Sequence, residues 1–178
     1  MNQNGLLTPR CYWITGLSGS GKTTMANMLT NYLKEKNQPV IRLDGDVLRG
    51  IFNVKAYSNE DRYSLGLKYA SLCKLILDHN VNVVIGVIGL FHQLHLWNRD
   101  NINEYCEIFL NTPIDELIER DTKGIYEKAF KGEIKNVAGI DLKVELPLNP
   151  DIEIKWVKGK NIEESFNEII QKINMIIK

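Results

Sequence analysis

Gly16-Leu17-Ser18-Gly19-Ser20-Gly21-Lys22-Thr23 fits the spacing G-x-x-x-x-G-K-[ST] at every fixed position. The residue types explain the pattern. Gly16, Gly19 and Gly21 permit backbone dihedrals closed to other residues, so successive N–H groups can converge on an anion. A helix starting just after the loop adds the positive end of its dipole at the same point. Lys22 supplies a mobile charge for β- and γ-phosphates, and Thr23 a hydroxyl for Mg²⁺. Ser18, Ser20 and Thr24 are predicted to join the glycines, Lys22 and Thr23 in holding ATP. The flanks support this reading over a Gly/Ser-rich turn. Cys11–Thr15 is a short β-prone run, and Met25, Met28, Leu29 and Leu33 recur at helical spacing.

Further runs of the same β-prone kind lie at Pro39–Leu43, Val81–Ile88, Glu107–Leu110 and Ile152–Trp156. Helical patterns separate them, the longest between Glu60 and Asp78 and the last between Ile162 and Ile177. In that last helix Ile162, Phe166, Ile169, Ile170 and Ile173 form one stripe, read as core packing. Alternating strands and helices predict an α/β fold with a five-stranded parallel sheet covered on both faces, of the P-loop nucleoside-triphosphate-hydrolase type. Such sheets bind ligands at the carboxyl ends of their strands. The whole chain, 1–178, reads as one domain. Its long irregular stretch, Gly132 to Pro150, belongs to a lid or binding loop of about 121–150.

Composition narrows the function. With 178 residues, 44% hydrophobic and 25% charged, the chain suits one domain with a full core. A formal net charge of zero gives no support for binding a nucleic acid polymer or an acidic membrane. No apolar run reaches the ~18 residues of a membrane span, and no secretory signal is visible, which predicts a cytoplasmic protein. Cys11, Cys73 and Cys106 cannot all pair within one chain and read as reduced, buried thiols. His79, His92 and His95 have helical spacing but no Cys or carboxylate to complete a zinc set. Trp13, Trp97 and Trp156 read as packing residues rather than base platforms.

Two further constellations carry chemistry. Leu43-Asp44-Gly45-Asp46-Val47-Leu48-Arg49 follows the second strand. One of these carboxylates, Asp44 or Asp46, can take the proton of an attacking hydroxyl, and one can hold Mg²⁺ directly or through water. Arg49 can clamp an anionic acceptor in two-pronged fashion. The second constellation is Arg120-Asp121-Thr122-Lys123-Gly124-Ile125-Tyr126, continuing through Lys128, Gly132, Lys135 and Gly139 to Asp141. Its cations can close over a triphosphate and exclude water.

Gly16–Thr24, Leu43–Arg49, Ser58–Arg62, Arg120–Asp141 and Pro147–Pro150 together make the chain resemble the adenylylsulfate kinase family, from about Trp13 to Ile154. The resemblance implies a P-loop kinase fold, Mg-ATP, and transfer of the γ-phosphoryl group to a ribose 3′-hydroxyl. By position it implies catalytic roles for Lys22, Lys123 and Asp44, with Asp44 the favoured base or orienting carboxylate and Asp46 beside it; Thr23 and Asp46 are the expected metal contacts, and Arg120 is expected near the ATP base. Asp46, Arg49, Tyr57, Arg62, Lys135, Val137 and Ile140 fall on the acceptor side. The partner is a small nucleotide, and the family's frequent dimers leave a homodimer open.

Departures from the family pattern cluster on the acceptor side. The family clamps its acceptor adenine between two phenylalanines, where this chain has Tyr57 and Val137. An Asn and an Arg-Arg pair in the following helix become Leu65, Leu67 and Lys68. An Ile-Ser-Pro-Tyr-Arg run becomes Ile88-Gly89-Leu90-Phe91-His92, and a later Arg becomes His95, while Arg99 persists. Paralogues with altered acceptor pockets occur in capsule and other surface-polysaccharide pathways, where the acceptor is cytidine diphosphoramidate. The resemblance therefore points first to that acceptor, then to adenylylsulfate itself. An inactive nucleotide-binding module is a third reading, set against the presence of Lys22, Thr23, Asp44 and Lys123.

Overall fold

A computed structural model describes residues 8–53, 58–121 and 123–176. Among them the order is β1 (Cys11–Thr15), α1 (Lys22–Glu35), β2 (Val40–Asp44), α2 (Gly45–Ile51), α3 (Asn59–Leu77) and β3 (Asn82–Val87). There follow α4 (His92–Asn101), β4 (Tyr105–Asn111), α5 (Ile114–Arg120), α6 (Ile125–Phe130), β5 (Ile152–Lys155) and α7 (Ile162–Ile176). The strands form one parallel sheet in the order β2-β3-β1-β4-β5. The order reverses at β1, so the crevice beyond its carboxyl end is where such a sheet takes a ligand.

Period-2 alternation explains how β1 is covered on both faces. Tyr12 and Ile14 enter one apolar cluster with Met25, Leu29 and Leu33 of α1 and Ile169 and Ile173 of α7. Cys11 and Trp13 enter a second with Leu65, Tyr69 and Cys73 of α3 and Leu94 of α4. A third, smaller cluster holds Leu117, Tyr126 and Val137, with Ile140 packed against it. The three cysteines are free and buried. Burial pushes the Cys106 thiol up to about 12, so it stays protonated. No helix among the described residues is long and apolar enough to cross a membrane.

Local differences from the sequence reading have physical causes. β4 begins at Tyr105 rather than Glu107, because Glu107 is a carboxylate buried inside the strand and interrupts its apolar pattern. Gly45 opens α2 directly after β2. Asp44 is its N-cap, accepting from the Asp46 N–H at 2.9 Å and the Val47 N–H at 3.4 Å. On α7, Ile162 is 42% exposed and leaves the buried stripe to its four partners.

Candidate active site

The loop after β1 owes its shape to glycine. A Cβ on Gly16 would lie 2.7 Å from Ser20 Oγ and 2.8 Å from the Leu110 carbonyl oxygen, closer than packing allows. Gly21 takes φ 93° to turn the chain into α1, which has no side-chain cap. The first-turn N–H groups of α1 are therefore left for an anion. Lys22 lies back across the loop, and its ammonium donates to the Leu17 carbonyl at 2.6 Å. Burial and, after it, the nearby Lys123 charge lower its pKa to about 8, with Asp46 opposing both.

A cleft of about 610 Å³ opens where β1, β2 and β3 end. Most of the predicted site residues line it. From the loop come Ser18, Gly19, Gly21, Lys22, Thr23 and Thr24. Asp44, Asp46 and Arg49 join from β2 and α2, Arg62 from α3, and Lys123, Lys135 and Val137 from the later loop region. Gly16, Ser20, Arg120 and Ile140 lie outside that lining. Gly16 and Ser20 pack beneath the loop. The Arg120 guanidinium sits over the Trp156 ring, 5.8 Å from its centroid, and 4.0 Å from Glu116. Ile140 packs into the third cluster. Tyr57 falls outside the described residues.

The two carboxylates differ in environment. Asp44 uses Oδ1 to cap α2, while its Oδ2 faces Arg42 at 3.4 Å. Asp46 is 86% exposed and lies 4.0 Å from the Lys123 ammonium. The far wall is organised by backbone contacts. Arg62 donates to the Asn136 carbonyl at 2.6 Å, and the Asn136 N–H donates to Asp141 at 2.6 Å. Val137 donates its N–H to the same carboxylate. These N–H groups hold the Asp141 carboxyl below the usual carboxylate range. Val137 itself is 8% exposed, shared between the cleft and the third cluster.

One cleft residue, Tyr69, carries no signal in the sequence. Tyr69 looks like one more apolar position of α3, yet its hydroxyl donates to the Gly45 carbonyl at 2.9 Å and so ties α3 to the start of α2. Phe91 lines the cleft edge-on to Tyr63. Tyr126, on α6, donates its hydroxyl to the Ser18 carbonyl at 2.9 Å and anchors that helix to the phosphate loop. Asp121 caps α6, accepting from the N–H groups of Ile125, Tyr126 and Glu127. The histidines bond to backbone instead of grouping. His79 Nδ1 lies 2.8 Å from the Leu75 carbonyl, His92 Nε2 2.9 Å from that of Leu146, and His95 Nε2 2.7 Å from that of Gly89.

Comparison with known proteins agrees with this geometry. Residues 8–155 match the adenylylsulphate kinase family profile. The cytidine diphosphoramidate kinase of Campylobacter jejuni is 39% identical over 165 residues, covering 93% of this chain and 96% of that protein. The adenylyl-sulfate kinase of Gloeothece citriformis is 36% identical over 165 residues, with 92% and 93% covered. In three dimensions the chain superposes on the Mycobacterium tuberculosis APS kinase in complex with AMPPNP and APS at a TM-score of 0.86. Sequence identity there is 31%, with 95% of this chain and 99% of that one covered.

Proposed function

The chain belongs to the adenylylsulfate kinase family, and from that premise we propose that it phosphorylates the ribose 3′-hydroxyl of cytidine diphosphoramidate in surface-polysaccharide biosynthesis. Membership makes it a phosphotransferase acting on a hydroxyl group, in a family that uses ATP. The observation that carries the finer reading is the asymmetry of the cleft. Its phosphate end keeps every residue of the motif, while Leu65 and Val137 make apolar wall where the family carries Asn and Phe. The 39% likeness to a cytidine diphosphoramidate kinase runs in the same direction. A pyrimidine needs less stacking surface than adenine, and a Val wall offers less.

The residues suit ATP and Mg²⁺. Gly16 leaves no room for a side chain, and the Lys22 ammonium, half-buried against the Leu17 carbonyl, would gain from a phosphate partner. No group of three or more His, Cys, Asp or Glu among the described residues makes a metal site. Thr23 and Asp46 both line the cleft and would be the Mg²⁺ contacts, a small protein share that suits an ion retaining water and phosphate oxygens. When bound, Mg²⁺ neutralises charge on the phosphates. Arg49 and Arg62 hold the acceptor's anionic group. The 3′-oxygen bonds to the γ-phosphorus as the bond to the β,γ-bridging oxygen breaks. Its proton passes to Asp44, whose Oδ2 is the oxygen not spent on capping. Lys22 and Lys123 stabilise the charge spreading over the phosphoryl oxygens.

Adenylylsulfate is the second reading, favoured by the adenylyl-sulfate kinase relatives and by the retained Arg49 and Arg62. An acceptor screen with labelled ATP separates the two. The expected result is a higher kcat/KM with cytidine diphosphoramidate. Clear preference for adenylylsulfate overturns the cytidine reading and leaves the family assignment standing.

A further inference from the structure

Behind the cleft wall formed by Gly89, Leu90 and Phe91 lies a buried polar cluster that the mechanism above does not use. At its centre are His95 on α4, 5% exposed, and Glu107 on β4, 1% exposed. His95 Nε2 lies 2.7 Å from the Gly89 carbonyl, which can only accept, so this nitrogen carries the ring proton. Nδ1 then presents a lone pair to Glu107 Oε1 at 3.3 Å. Oε1 has no hydrogen-bond partner among the described residues. Oε2 is already taken by Arg99, at 2.9 Å. Two lone pairs facing each other in a buried site repel, and a buried acceptor left unpaired is costly. One additional proton between Nδ1 and Oε1 removes both penalties.

We propose that His95 and Glu107 share one proton between Nδ1 and Oε1, and that this proton fixes the Gly89–Phe91 wall against the acceptor nucleotide, making the two a positioning pair. The surroundings connect that wall to the later loop. The Glu145 N–H donates to the Leu90 carbonyl at 3.1 Å, and Glu145 accepts from the His92 N–H at 2.7 Å. Arg99 bridges Glu107 to Asp151 and donates to the Asn149 carbonyl at 2.7 Å. The charged and titratable groups facing the pair are therefore His92 and Arg99 of α4, Tyr105 of β4, and Glu145 and Asp151 before β5. Burial pushes Glu107 up to about 7, against the pull of Arg99, and lowers His95, so both groups favour their neutral forms and the proton rests on Glu107. Loss of that proton sets the lone pairs against each other and frees the Gly89 carbonyl from a fixed ring.

The inference rests on the acceptor-side reading of this wall but not on which nucleotide is the acceptor. KM for ATP and for whichever acceptor turns over is measured from about pH 6 to about pH 8.5 on the wild type and Glu107→Gln. The glutamine can donate to Nδ1 and accept from Arg99 without titrating. The wild type should show acceptor KM rising roughly tenfold across that range, and Glu107→Gln should hold the low-pH value throughout. ATP KM should follow the same pH course in both. An acceptor profile unchanged by Glu107→Gln, or flat in the wild type, overturns the proposal. Nitrogen NMR of the wild-type imidazoles needs neither variant nor acceptor. His95 should be the Nε2–H tautomer, with Nδ1 shifting in step with the Glu107 carboxyl carbon. An Nδ1–H tautomer, or a His95 titrating independently of Glu107, equally refutes it.

Discussion

On the proposed function, Lys22 would make ATP binding a proton-linked event. Burial, with Lys123 adding to the shift and Asp46 opposing it, lowers its pKa to about 8. Phosphate oxygens beside the ammonium restore a higher value, because an opposite charge at contact favours the charged form. The sign follows. Binding selects protonated Lys22, so affinity is full below about pH 8 and falls as pH rises through that value. Near pH 9 roughly one chain in ten carries the charge, and Kd for ATP should be about tenfold weaker than at pH 7, or ~1.4 kcal/mol. Calorimetric titration of ATP without acceptor, near pH 8 and in two buffers of different ionisation heat, should report uptake of about half a proton per ATP. A Kd independent of pH between about 7 and 9, with no proton uptake, would refute the account of Lys22 as a buried, partly discharged lysine.

Other outcomes follow from the same geometry. Asp44→Asn should keep α2 intact, since Asn caps a helix as well as Asp, and should lower kcat while leaving Kd for ATP near the wild-type value; a change confined to ATP affinity would make Asp44 a nucleotide or metal ligand. Val137→Phe should shift acceptor preference toward adenine by no more than ~1–2 kcal/mol, measured as the ratio of kcat/KM for the two acceptors. Because Val137 also packs with Leu117 and Tyr126, the same change should cost about 1–3 kcal/mol in denaturant unfolding. Glu107→Gln should raise stability increasingly with pH. The Glu107 pKa is raised in the folded chain, so its stabilising contribution is whole below about 4.5 and is lost as pH climbs through about 7. That loss is of order 3 kcal/mol, and the Tm gap between variant and wild type should widen from about pH 5 to pH 8. A gap that narrows would contradict it.

The sheet was readable because its strands carry the plainest signal a sequence has. β1, buried on both faces, is continuous and β-prone, and the glycine spacing after it allows little but a phosphate loop. Reading failed where one residue does a job its type does not advertise. Glu107 looks like a strand boundary and is buried mid-strand. Asp44 was read for its charge, and its capping role depends on a helix too short to show a period. Tyr69 gave no warning because an aromatic residue in an apolar stripe is ordinary, and Tyr126, although it ends the Arg120–Tyr126 run, has its partner far away in the chain. Tyr126 meets Ser18 across 108 positions, a pairing that no local window contains.

That long-range bond bears on how the chain comes to bind nucleotide at all. Of the five described strands β1 is synthesised first, yet it occupies the middle of the sheet, between β3 and β4. Its neighbours are made only after roughly half the chain has emerged, and the hydroxyl that braces the phosphate loop comes later still. The most recognisable stretch of the sequence is thus among the last to acquire its working shape. A nascent chain halted before β4 carries an intact motif with one flank of its central strand unpaired, a sticky edge rather than a kinase. Closing so long a loop is slow. During synthesis the waiting strand is therefore the segment most in need of shielding from other chains.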